Sequence, residues 1–196
     1  LDQSVAEHEE LVSAEKETLE GLKKSYRELE SESKINSALI VKSNEKLRAV
    51  VAAINADDEL AQWWKCANVN VVDRQGMTDH GEVHIRIVAN AALKLLRLLA
   101  EAGIQSSIED TYGMTADDAE VVVVLAACMH DLGISIHCDD NEQYSIFLAR
   151  GKLPPYLEGL YDVRERTIMI SEILHAMIAH RWDVRCLTLE AGVMKV

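Results

Sequence analysis

The stretch Ala126-Ala127-Cys128-Met129-His130-Asp131-Leu132-Gly133 decides how the chain is read. It closes a very apolar run and ends in a histidine, a carboxylate and a glycine. Burying an imidazole and a carboxylate side by side is costly unless they are paired or bound to something. A divalent ion is an economical partner, and imidazole nitrogen with carboxylate oxygen suits a borderline metal. Adjacent helical residues point about 100° apart, but at a helix end they can converge. Gly133 is expected to take a positive φ and stop the helix just past the pair. The plainer alternative makes His130 a C-terminal cap that favours the helix dipole, with Asp131 a turn residue.

Upstream of this stretch, residues 121–124 are four valines, which are strand formers. A buried strand therefore competes with a helix. The Thr115-Ala116-Asp117-Asp118 cap, the following Ala and Leu residues and the length favour a helix. It is apolar all round, as the central helix of a bundle should be. Before it, Asp79-His80-Gly81-Glu82 reads as a capping box for a helix running to about residue 102. The expected core stripe of that helix is Val83, Ile87, Ala91, Leu95 and Leu98. His80 and His84 lie one turn apart on one face. A shorter helix is expected over residues 59–68, carrying Trp63 and Trp64. A connector follows over 68–76, and residues 104–114 read as a loop.

Downstream, Asp140 opens a helix expected to stop near Gly151. Pro154 and Pro155 are expected to open the next one at its permitted first turn. A helix over about 162–180 carries His175 and His180 five residues apart, so they do not share one face squarely. Thr188 caps a last segment that runs off the end, and the pattern is read as open at both termini.

The first quarter reads as a rod. Residues 5–54 contain no proline and one glycine, Gly21. Apolar residues recur every seven at Val5, Val12, Leu19, Tyr26, Ile40, Leu47 and Ile54, with Ser33 the exception. A weaker second line holds Leu22, Leu29 and Val50. This is a heptad seam, expected to pair with the same rod of a second chain as a coiled-coil homodimer over residues 1–55. Asn36 and Ser33 would fix its register. The alternative is a long helix folded back on the globular part, residues 56–196.

Composition bounds the rest. The 196 residues carry 20 Lys and Arg against 33 Asp and Glu, a formal net charge of −13. That leaves no basic face of the kind a nucleic-acid backbone requires. No apolar run reaches the roughly 18 residues of a membrane span. The four cysteines show no regular spacing and read as free thiols in a reducing compartment. A cytoplasmic all-α protein is expected.

Three separate helices thus carry polar residues in apolar settings: His84, then His130-Asp131, then His180. Bundles build metal sites by aiming such residues into one pocket. The segments His84-Ile85-Arg86-Ile87-Val88-Ala89, His130-Asp131-Leu132-Gly133 and Glu172-Ile173-Leu174-His175-Ala176-Met177-Ile178-Ala179-His180 resemble, in order and spacing, the HD-domain superfamily of metal-dependent phosphohydrolases. The resemblance covers about residues 73–196 and leaves out the rod. It implies an HD-like helical bundle that binds a divalent ion (Mn, Fe, Zn, Ni or Mg) through His84, His130 and Asp131. Asp131 would also serve catalysis by helping to orient a water. His175, His180 and His137 are the candidates for outer support or a second ion. Arg86, Arg181 and Arg185 are candidates for a substrate phosphate, because the guanidinium fork matches phosphate oxygens. The implied activity is hydrolysis of a nucleotide or other small phosphate ester.

Two departures narrow this. The family's fourth ligand is an Asp on the last helix, and no Asp follows Asp183. Many two-metal members carry a His shortly after the HD pair, where this chain has Asn141-Glu142. A single-ion site is what carries over. The competing readings are a non-enzymatic signalling or scaffold protein with a decayed site, and a diiron oxygenase, which the absent histidine near position 141 opposes.

Overall fold

The valines of residues 121–124 are helical, and the helix that contains them is the centre of the molecule. The computed structural model describes residues 44–195, all within one compact unit. Among the described residues there are eight α-helices and no strand. In chain order they are α1 (Glu45–Asn55), α2 (Asp58–Asn68), α3 (Glu82–Glu101), α4 (Ser107–Tyr112), α5 (Ala116–Met129), α6 (Asn141–Leu157), α7 (Val163–Ala179) and α8 (Leu189–Val193). A π-helical turn, Val69–Asp73, follows α2, and a 3-10 turn, Leu132–Ser135, follows α5.

Helix α5 begins on the expected Thr115 cap, where Thr115 and Asp118 satisfy each other's end of the helix reciprocally. Every residue from Asp118 to Met129 is buried. Helices α1, α3, α4, α6, α7 and α8 all pack against it. A segment surrounded like this needs no polar face, which is why its pattern carries no amphipathic period.

The part of the heptad seam that is described belongs to this bundle. Leu47, Val50, Val51 and Ile54 of α1 are buried against α5 and α6 of the same chain. The start of α1 is tied down as well. The Asn44 amide donates to the Asp117 carbonyl at 2.8 Å and to Glu120 at 3.0 Å, while its oxygen caps Leu47 N at 2.9 Å. Residues 45–55 are therefore core, not rod. The rest of the coiled-coil expectation lies outside the described residues.

Other expectations need correction. In α3 the buried residues are Ile85, Ala89, Ala92, Leu93 and Leu96, whereas Val83, Ile87 and Leu98 are exposed. Its apolar residues occupy more than one face, so period alone picked the outer one. The Asp79–Glu82 capping box does not form. Gly81 is the N-cap, seated against the Asn68 side chain, whose oxygen accepts from His80 N at 3.0 Å. Residues 104–114 are not all loop, since Ser106 and Glu109 form a capping box that starts α4. Helix α6 runs through Gly151, Pro154 and Pro155 as one element. The prolines fall in its last turn, where each lacks the N–H that would bond the carbonyl four residues back, at Arg150 and Gly151. Burial of Leu153, Tyr156 and Leu157 holds that turn on the core.

Candidate metal centre

The His130–Asp131 pair sits where α5 gives way to the 3-10 turn. His130 is still helical (φ −61°, ψ −30°), while Asp131 has left the helix (φ −107°, ψ 9°). That break brings two consecutive side chains together, with His130 Nε2 3.0 Å from Asp131 Oδ2. Both are almost fully buried.

Gly133 has a different task from the one its sequence position suggests, because its φ is not positive. It allows close approach. A Cβ there would collide with the Asn141 carbonyl oxygen and come within 2.5 Å of Ser145 N. Gly133 N donates to Ser145 Oγ at 2.8 Å, so the turn is locked onto the start of α6. On the other side Trp64 Nε1 donates to the Cys128 carbonyl at 2.9 Å.

Helix α3 supplies His84 from its first turn, with Nε2 3.5 Å from Asp131 Oδ2. The end of α7 supplies His180, with Nε2 4.0 Å from Asp131 Oδ1. Ligand atoms of His84, His130 and Asp131 all lie within 4.8 Å of one another. Ring centroids run 5.0 Å from His80 to His84, 5.8 Å from His84 to His130 and 4.9 Å from His130 to His180. These groups line one cavity of about 400 Å³.

Tautomers follow from the outer bonds. His130 Nδ1 lies 2.8 Å from the Ala127 carbonyl and His180 Nδ1 lies 2.6 Å from the Met177 carbonyl. A carbonyl only accepts, so each Nδ1 carries its hydrogen and each Nε2 turns a lone pair toward Asp131 when the ring is neutral. Ligating histidines are oriented in this way by an outer acceptor. Lone pairs converging on a carboxylate need a positive charge among them, either a proton or a cation.

The electrostatics show the proton's answer. Burial alone would raise the Asp131 carboxyl, but His130, His84 and His180 more than offset it and hold it far below the usual carboxylate range. Burial alone would lower His130, yet the charge and hydrogen bond of Asp131 raise it above an ordinary histidine. His180 is pushed down, by burial first and then by His130. The donor set fits a borderline divalent ion held by His84, His130 and Asp131, with imidazole nitrogens outnumbering carboxylate oxygens.

The structure brings together His84, His130, Asp131 and His180, and adds His80. It leaves other candidates elsewhere. The His137 side chain is 63% exposed and turned to Asp139. His175 Nε2 accepts from Leu187 N at 3.0 Å, which keeps it out of the cavity wall. Arg86 pairs with Glu82 one turn back along α3. Arg181 is spanned by both oxygens of Asp183 at 3.0 Å, and Arg185 is exposed outside the lining. Sequence reasoning missed Lys195, which does line the cavity, and the part played by Asn141. Lys195 had no pattern around it. Asn141 was read only as the absence of a histidine.

Over 133 residues the chain is 38% identical to an uncharacterized protein of Methanocaldococcus jannaschii. The match takes in 67% of this chain and 51% of the relative, so the chain spans about half the relative's length. No family model matches the chain, and no solved structure matches it.

Proposed function

We propose that the protein is an HD-type metal-dependent phosphohydrolase acting on a nucleotide or other small phosphate ester, with residues upstream of α1 pairing two copies through a coiled coil. The observation that supports this reading is the meeting of His84, His130 and Asp131 ligand atoms within 4.8 Å on the wall of an accessible cavity. A divalent ion held there would polarise a phosphoryl oxygen and lower the pKa of a coordinated water. The chain's own residues fix the geometry for it. Ala127 and Met177 carbonyls set the His130 and His180 rings, and Gly133 with Ser145 holds the turn that presents Asp131. His180, kept neutral chiefly by burial, would take up the proton that the attacking water gives up. The four cysteines are free, which suits a reducing cytoplasm. Among the described residues no helix is long and apolar enough to cross a membrane.

One observation favours the scaffold alternative: among the described residues no second carboxylate joins the cluster. A screen of phosphomonoesters and nucleotides with manganese, cobalt or nickel separates the two. The proposal expects turnover of at least one substrate by the wild type and a loss of more than about 100-fold in His130→Ala, because removing a ligand should cost more than the roughly 10–100-fold of removing a group that only orients one. A blank across all ions and substrates, with the ion bound, would favour the scaffold.

A further inference from the structure

His80 precedes the Gly81 cap of α3, just outside the helix that carries His84. It ends the loop between the π-helical turn and α3, and that loop is anchored. His80 N donates to Asn68 Oδ1 at 3.0 Å, and Met77 N donates to the Val71 carbonyl at 2.8 Å. Gly81 lets the chain seat there, because a Cβ would come within 3.0 Å of Asn68 Cγ. The end of α2 thus fixes the backbone, while the imidazole of His80 is only partly buried and lines the cavity.

The ring is prepared as those of His130 and His180 are. Its Nδ1 lies 2.8 Å from the Thr78 carbonyl, which only accepts. Nδ1 therefore carries the hydrogen, and Nε2 keeps a lone pair when the ring is neutral. An outer acceptor of this kind is what orients a ligating histidine.

Spacing points the same way. A metal–nitrogen bond of about 2.0–2.1 Å places the centroids of two imidazoles on one ion roughly 4.5–5.3 Å apart at octahedral to tetrahedral angles. The His80 and His84 centroids are 5.0 Å apart, closer than the 5.8 Å between His84 and His130. His80 stays outside the group whose ligand atoms meet within 4.8 Å, so its ring must turn inward about its side-chain bonds. A partly exposed side chain makes such a motion quickly.

We propose that His80 joins His84, His130 and Asp131 as a third imidazole ligand, drawn in from the rim when the ion binds. This rests on the metal-site reading above and adds a residue that none of its sequence motifs supplies. Three imidazoles with one carboxylate suit zinc or nickel better than magnesium. His180, with Nε2 4.0 Å from Asp131 Oδ1, is the competing third imidazole.

The test is proton NMR of the full chain loaded with divalent cobalt, with bound cobalt measured in parallel. The paramagnetic ion shifts the Nδ1–H of each ligating ring far from its ordinary position, and those signals vanish in heavy water, so they count the imidazoles. His80→Ala should remove one shifted signal at unchanged helical content. It should also weaken zinc binding by more than about 10-fold, the low end for a group that only orients a ligand. His137→Ala, on the exposed side of the molecule, should change neither. His80→Asn is the second variant if alanine loosens the loop. An unchanged set of shifted signals in both His80 variants, or a signal lost only in His180→Ala, overturns the proposal while the metal site stands. A wild-type chain that binds no cobalt removes both.

Discussion

Helix α5 is buried on every side, whereas α3, packed against it, leaves Val83, Ile87 and Leu98 in solvent. Each delivers part of the same cluster. Helix α5 delivers His130 and Asp131 at its end, beyond a fully enclosed segment and beside the bonds from Trp64 and Ser145. Helix α3 delivers His84 in its first turn, right after a loop, with the side chain 31% exposed. One half of the site is built into the core and the other is brought to it from the rim. Tight packing fixes position but tolerates little change, while a rim residue can adjust when a ligand enters.

The largest effect that can break this contrast comes from placing the same charge on each helix. Val123→Asp should cost about 4–5 kcal/mol or prevent folding, because an unpaired carboxylate would sit in the centre of the core. Ile87→Asp should shift stability by no more than about 0.5 kcal/mol. Denaturant melts of the two variants check this, and comparable losses would mean that α3's outer face is covered in the folded protein. Next comes Gly133→Ala. Its methyl group meets backbone of α6, which cannot swing aside, so we expect a loss of about 3 kcal/mol by the same melts. A near-neutral result would detach the Asp131 turn from α6.

Titration sharpens the comparison further. His130 has a raised pKa in the folded state, so the fold binds that proton more tightly than the unfolded chain does. Its contribution to the metal-free protein is complete below about pH 6.5, the ordinary histidine value. It is lost as pH rises through the raised value. His180, with a lowered pKa, works in the opposite sense, losing its contribution as pH falls below that ordinary value. Unfolding free energies of the metal-free wild type and His130→Gln, measured across this range, should converge as pH rises. Parallel curves would show that His130 is not coupled to Asp131. A modest stability effect is expected at the rim, where His84→Ala should cost about 1 kcal/mol in the metal-free protein through the hydrogen bond it lends the buried Asp131. It should nonetheless weaken ion binding, read by titration with a metal indicator. A large stability loss would place His84 in the core.

The same contrast explains what was legible beforehand. The helix through residues 121–124 and its His130–Asp131 end could be read because an enclosed helix with a Thr115 cap leaves few alternatives. The cluster could be read because polar residues are conspicuous in apolar helices. The stripe on α3 could not, because apolar residues occur on more than one of its faces and only packing chooses between them. Leu47, Val50 and Ile54 satisfy a heptad and a globular core equally well, so spacing alone assigned them to a rod. Gly133 looked like a positive-φ residue, while its need is for space against α6, a contact between segments that no local pattern reveals. Lys195 and Asn141 belong to the cavity wall only because the fold brings distant segments together there.

The central claim is that the start of α3 and the end of α5 together hold a cation through His84, His130 and Asp131. Metal stoichiometry of the full-length protein, taken by elemental analysis after equilibration with manganese, cobalt, nickel and zinc, tests it most directly. The account predicts about one tightly held ion per chain in the wild type, and near zero in His130→Ala at unchanged helical content. Equal, negligible metal in both would contradict it.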